Sequence, residues 1–249
     1  MATEKKLTGK VPREAIVLLD VPRYAPEIIE GFKALGDLTG SVSDAMDELG
    51  LVGTVPASVL KPTLPNSRIV GPALTLRNIE QADSAYKQAR ERVSKMAEIE
   101  AHNLAQPGDI LVIEGVDGIS NMGGLSATIA KRQGEVGAII DGGTRDVEQS
   151  RSQTFPIWSR SISSITGKWR LQTIAINGPV RIAGVQVWPG DLVIADEGAV
   201  CFVPRLSVEA VLKRTKEIVE GEGRRYRDIE AGVPVPELAA KTHVYKFER

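Results

Sequence analysis

Arg145 and Asp146 stand side by side in Asp141-Gly-Gly-Thr-Arg145-Asp146, a glycine-bearing stretch after the apolar run Val136 to Ile140. An arginine offers a planar fork of donors that matches a carboxylate. An aspartate offers the hard oxygens that Mg²⁺ or Mn²⁺ takes. Together they suit an acidic ligand beside a cation; the plainer reading is a loop salt bridge or a turn cap. Upstream, Gly123-Gly124-Leu125-Ser126 opens a helical pattern. Free N–H groups at a helix start, with the positive end of its dipole, hold carboxylates or phosphates. Two glycines before a helix are also common in plain turns, so the feature gains weight only if this helix start faces Arg145.

Other polar residues read more simply. Asp196-Glu197-Gly198 interrupts an apolar strand run as a hairpin turn would. Ser43-Asp44 has the composition of a helix N-cap. Asp109 and Asp191 each follow Pro-Gly and read as turn residues. His102 lies in a charge-laced helical pattern and reads as solvated. Lys131 and Lys168 carry amines of the kind that form Schiff bases, but neither sits in a strand pattern that would desolvate it. Cys201 lies in an apolar strand, where a thiol is buried and inert.

The elements that must position these residues follow from periodicity and punctuation. A glycine turn, the helical segment from Gly124 to Arg132, and the buried strand from Val136 imply a parallel crossover and an α/β sheet. Ligands of such sheets gather at the carboxyl ends of the strands, where Arg145 and Asp146 fall. The first fifty residues read as helical, with Ile28, Ile29, Phe32 and Leu35 at helix spacing and a short capped helix from Thr39 to Gly50. Arg68 to Arg77 reads as a strand interrupted at Gly71-Pro72, and Ser84 to Leu104 as one long helix. Pro107-Gly108-Asp109 then turns the chain into an apolar strand, Ile110 to Ile113. Short apolar runs between Ile174 and Val203 predict hairpins. Val208 to Arg227 predicts a closing amphipathic helix, and Val233-Pro-Val-Pro236 a looser tail. The expected organisation is one α/β core domain over 39–205, with extensions over 1–38 and 206–249.

Composition narrows the function. The chain has 249 residues, enough for a sizeable core without disulfides. A net charge of −1 argues against a nucleic-acid binder held by bulk electrostatics. One cysteine excludes an intrachain disulfide and any multi-cysteine metal site, and two histidines argue against a His-rich one. The stretch Met1 to Lys6 lacks the apolar run of a secretory signal, and nothing is apolar enough for a membrane span. The expectation is a cytoplasmic protein with a small-molecule partner and neither nucleic acid nor membrane.

Several stretches carry a resemblance. Val42-Ser43-Asp44-Ala45, Val70-Gly71-Pro72-Ala73-Leu74-Thr75, Pro107-Gly108-Asp109, Gly137 to Asp146, Phe155-Pro156-Ile157 and Gly184 to Pro204 occur in this order. In them the chain resembles the proteins grouped with regulator of ribonuclease activity A and the class II 4-hydroxy-4-methyl-2-oxoglutarate / 4-carboxy-4-hydroxy-2-oxoadipate aldolases. The resemblance implies a swivelling α/β/β/α-type fold and a homotrimer or homohexamer with sites between subunits. It implies Mg²⁺ or Mn²⁺ held by Asp146, a pyruvyl group bound by Arg145, and a carboxylate held at Gly124 by the amides of Leu125 and Ser126. It also marks a departure: the aldolases carry an aspartate, which helps hold metal-bound water, where this chain has Gly124. The regulator branch has acidic residues at the positions of Gln149 and Ser150. A further carboxylate would then come from Glu148, Asp117, or a neighbouring subunit's Asp196 or Glu197.

The function implied is a divalent-metal-dependent lyase that cleaves a carbon–carbon bond in a 4-hydroxy-2-oxo acid to release pyruvate, an oxaloacetate decarboxylase, or both. The alternatives are a non-catalytic regulator of an RNA-processing enzyme and an isomerase or hydratase on a 2-oxo acid. A methyltransferase finds no support, because no nucleotide-type glycine fingerprint follows the first strand. The loop expected over Arg151 to Trp169, with Arg160, Lys168 and Trp169, suits a pocket wall.

Overall fold

The structure is a computed structural model that describes residues 5–241; 1–4 and 242–249, with His243, lie outside the described residues. In chain order the helices are α1 (Pro26–Lys33), α2 (Thr39–Glu48), α3 (Ala85–Glu91) and α4 (Glu98–Leu104). They continue as α5 (Gly124–Gln133), α6 (Val147–Ser152), α7 (Val208–Glu230) and α8 (Val235–Lys241). The strands are β1 (Thr54–Pro56), β2 (Lys61–Pro62), β3 (Ile69–Glu80), β4 (Ile110–Glu114), β5 (Ser120–Met122) and β6 (Gly137–Thr144). They end with β7 (Ile157–Ile162), β8 (Leu171–Ile176), β9 (Val180–Ile182), β10 (Val185–Val187), β11 (Leu192–Ala195) and β12 (Ala199–Val203).

The expected α/β class is what forms. The main sheet runs β1-β12-β11-β3-β4-β6-β7-β2, with β5 on β6, β8 on β3, and β9–β10 as a separate hairpin. Its centre, β3-β4-β6-β7, is parallel, as crossover helix α5 requires. β3 joins two regions: Ile69–Pro72 pair antiparallel with β11, and Ala73–Arg77 pair parallel with β4. Alternation along β4 divides the core. Leu111 and Ile113 face a cluster with Leu104, Ala127 and Ala130 of α4 and α5. Ile110 and Val112 face a second cluster with Val180 and Ile182 of the hairpin. A third cluster packs Phe32, Val42 and Met46 of α1 and α2, with Val211 and Leu212 of α7, onto Ile194 and Cys201.

The structure corrects several expectations. Residues before α1 are not helical beyond one turn, Arg13–Ala15. They run as an irregular strap whose Val11, Ile16 and Val21 are buried in the first cluster, with the Val17 amide bonded to the Ile176 carbonyl. Ser43 and Asp44 lie inside α2 and do not cap it, because the helix begins at Thr39. Gly71-Pro72 does not interrupt β3; it marks the point where the strand changes partner. The helix expected from Ser84 to Leu104 is two helices. Arg92, in the left-handed conformation, ends α3, and the Thr173 hydroxyl accepts the Ala97 amide before α4 starts. Arg151 to Trp169 is no loop but carries the end of α6, strand β7 and one helical turn. The Val233-Pro-Val-Pro236 tail leads into α8, whose Pro236 falls in the first turn, where a missing N–H costs nothing.

Candidate active site

β6 runs from its apolar start through Asp141 to Thr144 and delivers Arg145 and Asp146 at its carboxyl end. The Arg145 amide and the Thr144 hydroxyl both donate to the Met122 carbonyl, which fixes the pair beside β5. Asp146 has φ of 54°, a left-handed conformation that aspartate tolerates better than most residues. It stands at the N-terminus of α6 without capping it. Its Oδ2 instead accepts the Gly124 amide at 3.0 Å and lies 3.3 Å from Arg145 Nε. The start of α5 therefore does face the Arg-Asp pair.

The two glycines make this approach possible. A Cβ on Gly123 would lie 2.7 Å from Asp146 Oδ2, and one on Gly124 would lie 2.7 Å from Gln149 Cγ. The first amides of a helix lack intrahelical acceptors. Gly124 spends its amide on Asp146, while those of Leu125 and Ser126 have no acceptor among the described residues. They open on a cavity of about 260 Å³ lined by Gly123, Leu125, Ser126, Arg145, Asp146, Glu98, His102 and Lys168. A second cavity of about 250 Å³ shares Glu98, Gly123, Arg145 and Lys168 with it. Arg145 thus sits between two adjoining spaces.

Two polar wall residues escaped the sequence reading. His102 is fully buried, not solvated. Its Nδ1 lies 2.7 Å from Glu135 Oε1 and its Nε2 lies 2.7 Å from Ser126 Oγ. Glu98, at the first turn of α4, has its carboxyl raised above the ordinary range, chiefly by burial; His102, Lys168 and Arg145 partly offset that. The break between α3 and α4 sets both residues against α5. Periodicity alone reports helix there and no partner, so no local signal marked them.

The other expected carboxylates lie elsewhere. Glu148 is exposed on α6 and lines neither cavity. Asp117 accepts the Ser161 hydroxyl at 2.6 Å and the Gly118 amide, which hold its carboxyl below the usual range. Asp196 accepts the Thr39 amide and hydroxyl, in the turn between β11 and β12, and with Glu197 lines a separate cleft of about 640 Å³. Lys168 is exposed beside the Trp169 ring, where its amine is not desolvated. Burial raises the Cys201 thiol to about 12, so it is inert as expected.

Among the described residues no three His, Cys, Asp or Glu side chains converge. An all-protein cage therefore does not fit, but a hard cation that keeps most of its waters does. Mg²⁺ is commonly held by one or two carboxylates. Asp146 could supply one, with Oδ1 accepting no hydrogen bond among the described residues.

The sequence model of the RraA-like family, described as Aldolase/RraA, matches residues 39–201. The chain belongs to the RraA-like family. A relative from Halalkalibacterium halodurans, named "Putative 4-hydroxy-4-methyl-2-oxoglutarate aldolase", is 30% identical over 197 residues, covering 78% of this chain and 86% of its own. An uncharacterized Pseudomonas syringae protein has a crystal structure that matches with a TM-score of 0.73 and 25% identity, over 90% of this chain and 98% of its own. RraAS2 of Streptomyces coelicolor, described as an unusual member of the RNase ES inhibitor RraA protein family, matches with a TM-score of 0.66 and 25% identity, over 81% of this chain and 96% of its own. The RraA-like fold thus reaches this chain from an aldolase-named relative and an inhibitor-family structure.

Proposed function

We propose that this RraA-like protein is a divalent-metal-dependent lyase that releases pyruvate from a 4-hydroxy-2-oxo acid and decarboxylates oxaloacetate. The observation that carries the reading is the convergence of Arg145, Asp146 and two unpaired amides of α5 on one cavity. The relative named as an aldolase supports the same class. In this reading the amides of Leu125 and Ser126 hold the substrate carboxylate, as helix starts do. Arg145 pairs with the 2-oxo end and takes up the negative charge that develops when the carbon–carbon bond breaks. Mg²⁺ or Mn²⁺ at Asp146 would supply Lewis-acid polarisation of the 2-oxo group. Glu98, whose carboxyl burial raises above the ordinary range, lines the same cavity and is the candidate to return a proton to carbon. The reading includes a trimer or hexamer, in which Asp196 or Glu197 of a neighbouring copy would approach Asp146.

Pyruvate release from oxaloacetate, with Mg²⁺ or Mn²⁺ and with chelator, tests it. Metal-dependent turnover is expected, with a loss of about a hundredfold or more in Asp146→Asn and Arg145→Ala. Turnover no faster than the metal alone rejects the enzyme. That result favours the second reading, a non-catalytic regulator of an RNA-processing enzyme, to which the likeness to RraAS2 points.

A further inference from the structure

The buried chain Ser126–His102–Glu135 ends on the cavity wall, and neither anion binding nor cation binding uses it. Ser126 Oγ, His102 and Glu135 Oε1 are linked by two contacts of 2.7 Å. The His102 and Glu135 side chains are fully buried, and Ser126 is 8% exposed. The protonation pattern follows from elementary valence. With Glu135 Oε1 as the acceptor, that contact places the imidazole proton on Nδ1. Nε2 of a neutral imidazole then only accepts, and the Ser126 hydroxyl donates to it. That leaves the Ser126 oxygen with its lone pairs for a ligand in the cavity. Among the described residues Glu135 Oε2 is buried with no partner, and the imidazole is the one hydrogen-bond donor this carboxylate has. A carboxylate placed so stabilises positive charge on the ring, as the acid of a serine–histidine–acid array does.

We propose that Ser126, backed by His102 and Glu135, is the base that accepts the proton of the substrate's C4 hydroxyl. The inference rests on the lyase reading and assigns a step that reading leaves open. The C4 hydroxyl proton passes to Ser126 Oγ while the Ser126 proton passes to His102 Nε2. The C4 oxygen forms a carbonyl, the C3–C4 bond breaks, and its electron pair goes to the pyruvate enolate held by Arg145. The enolate carbon then takes one proton from Glu98; His102 returns its proton to Ser126 Oγ as the Ser126 hydroxyl proton passes through the cavity's solvent to Glu98, so the cycle closes without net gain or loss. Ser126 touches substrate; His102 and Glu135 act through it and are positioning residues.

Decarboxylation supplies the control, because oxaloacetate has no C4 hydroxyl to deprotonate. Both reactions need Arg145, but only aldol cleavage needs the relay. In Ser126→Ala and His102→Gln the ratio of 4-hydroxy-4-methyl-2-oxoglutarate cleavage to oxaloacetate decarboxylation should fall about a hundredfold, the contribution usual for a general base. An equal fall in both reactions, or an unchanged ratio, overturns the relay and leaves the lyase standing. A wild-type protein that performs neither reaction rejects the lyase and the relay together. A readout independent of turnover and of the variants' folding is ¹⁵N imidazole NMR of the wild-type protein, which has two histidines. The neutral His102 ring should be the Nδ1–H tautomer; the Nε2–H tautomer overturns the proposal.

Discussion

Gly124 holds the closest approach in the site. Its amide donates to Asp146 while its missing side chain leaves room for Gln149 of α6. A Cβ there would meet Gln149 Cβ at 2.8 Å and Cγ at 2.7 Å, too near the backbone for a simple rotamer change to relieve. Gly124→Ala should therefore push α6 away from α5, even though alanine favours a helix. The expected cost is about 1–3 kcal/mol, typical of overpacking, with loss of turnover as Asp146 shifts. Chemical denaturation beside the oxaloacetate assay checks both; a variant as stable and active as the parent would show that α6 yields freely. An aspartate at this position meets the same obstacle, so this chain would have to reposition Gln149 before using a side chain there. Arg145, Asp146 and the glycine pair were legible because each lies within a few residues of its neighbour in a recognisable turn. The Ser126 amide was read with them, but the side-chain array of His102, Glu135 and Ser126 was not. They are separated along the chain and meet only when α4 is laid against α5, which no local pattern encodes.

At the scale of elements, the strap before α1 does more than cover the sheet. Arg23 Nε and a terminal nitrogen bond the two oxygens of Asp109 at 3.0 and 2.8 Å, and Asp109 is fully buried in the turn into β4. The same carboxylate accepts the Gln106 amide, so one side chain ties the strap to the α4–β4 connection. Arg23→Gln would leave a buried charge without its counter-charge, which costs about 3–5 kcal/mol in comparable pairs. The measurement is the urea midpoint of the variant against the parent. A shift corresponding to less than about 1 kcal/mol would mean that solvent reaches Asp109 and that the strap is ornamental to stability. The strands from Ile110 and from Val136 were readable because apolar runs bounded by Gly and Pro report burial directly. The strap was misread as helical because its apolar residues are buried one at a time, at Val11, Ile16 and Val21, with no period. The α3–α4 break was hidden for a related reason: the Thr173 hydroxyl that accepts the Ala97 amide comes from a distant strand.

On the scale of the whole molecule, cation binding and folding should be linked. Asp146 is set by the end of β6, the left-handed turn into α6 and the amide of Gly124, so the site exists only when three separate segments are in register. A cation that binds this arrangement and not the unfolded chain adds stability according to its concentration. At about a hundred times its dissociation constant the gain is about 2.7 kcal/mol. For a domain of this size each kcal/mol moves the midpoint by about 2–4 °C, so saturating Mg²⁺ or Mn²⁺ should raise Tm by about 5–10 °C. Asp146→Asn should remove the rise while leaving the cation-free midpoint near that of the parent, because Asn keeps an acceptor for the Gly124 amide. Calorimetric scans with chelator and with each metal decide it. An equal rise in parent and variant would place the cation elsewhere, for instance in the acidic cleft of Asp196 and Glu197. No rise in either would remove metal from the proposed reaction and leave Arg145 and the α5 amides as the anion site alone.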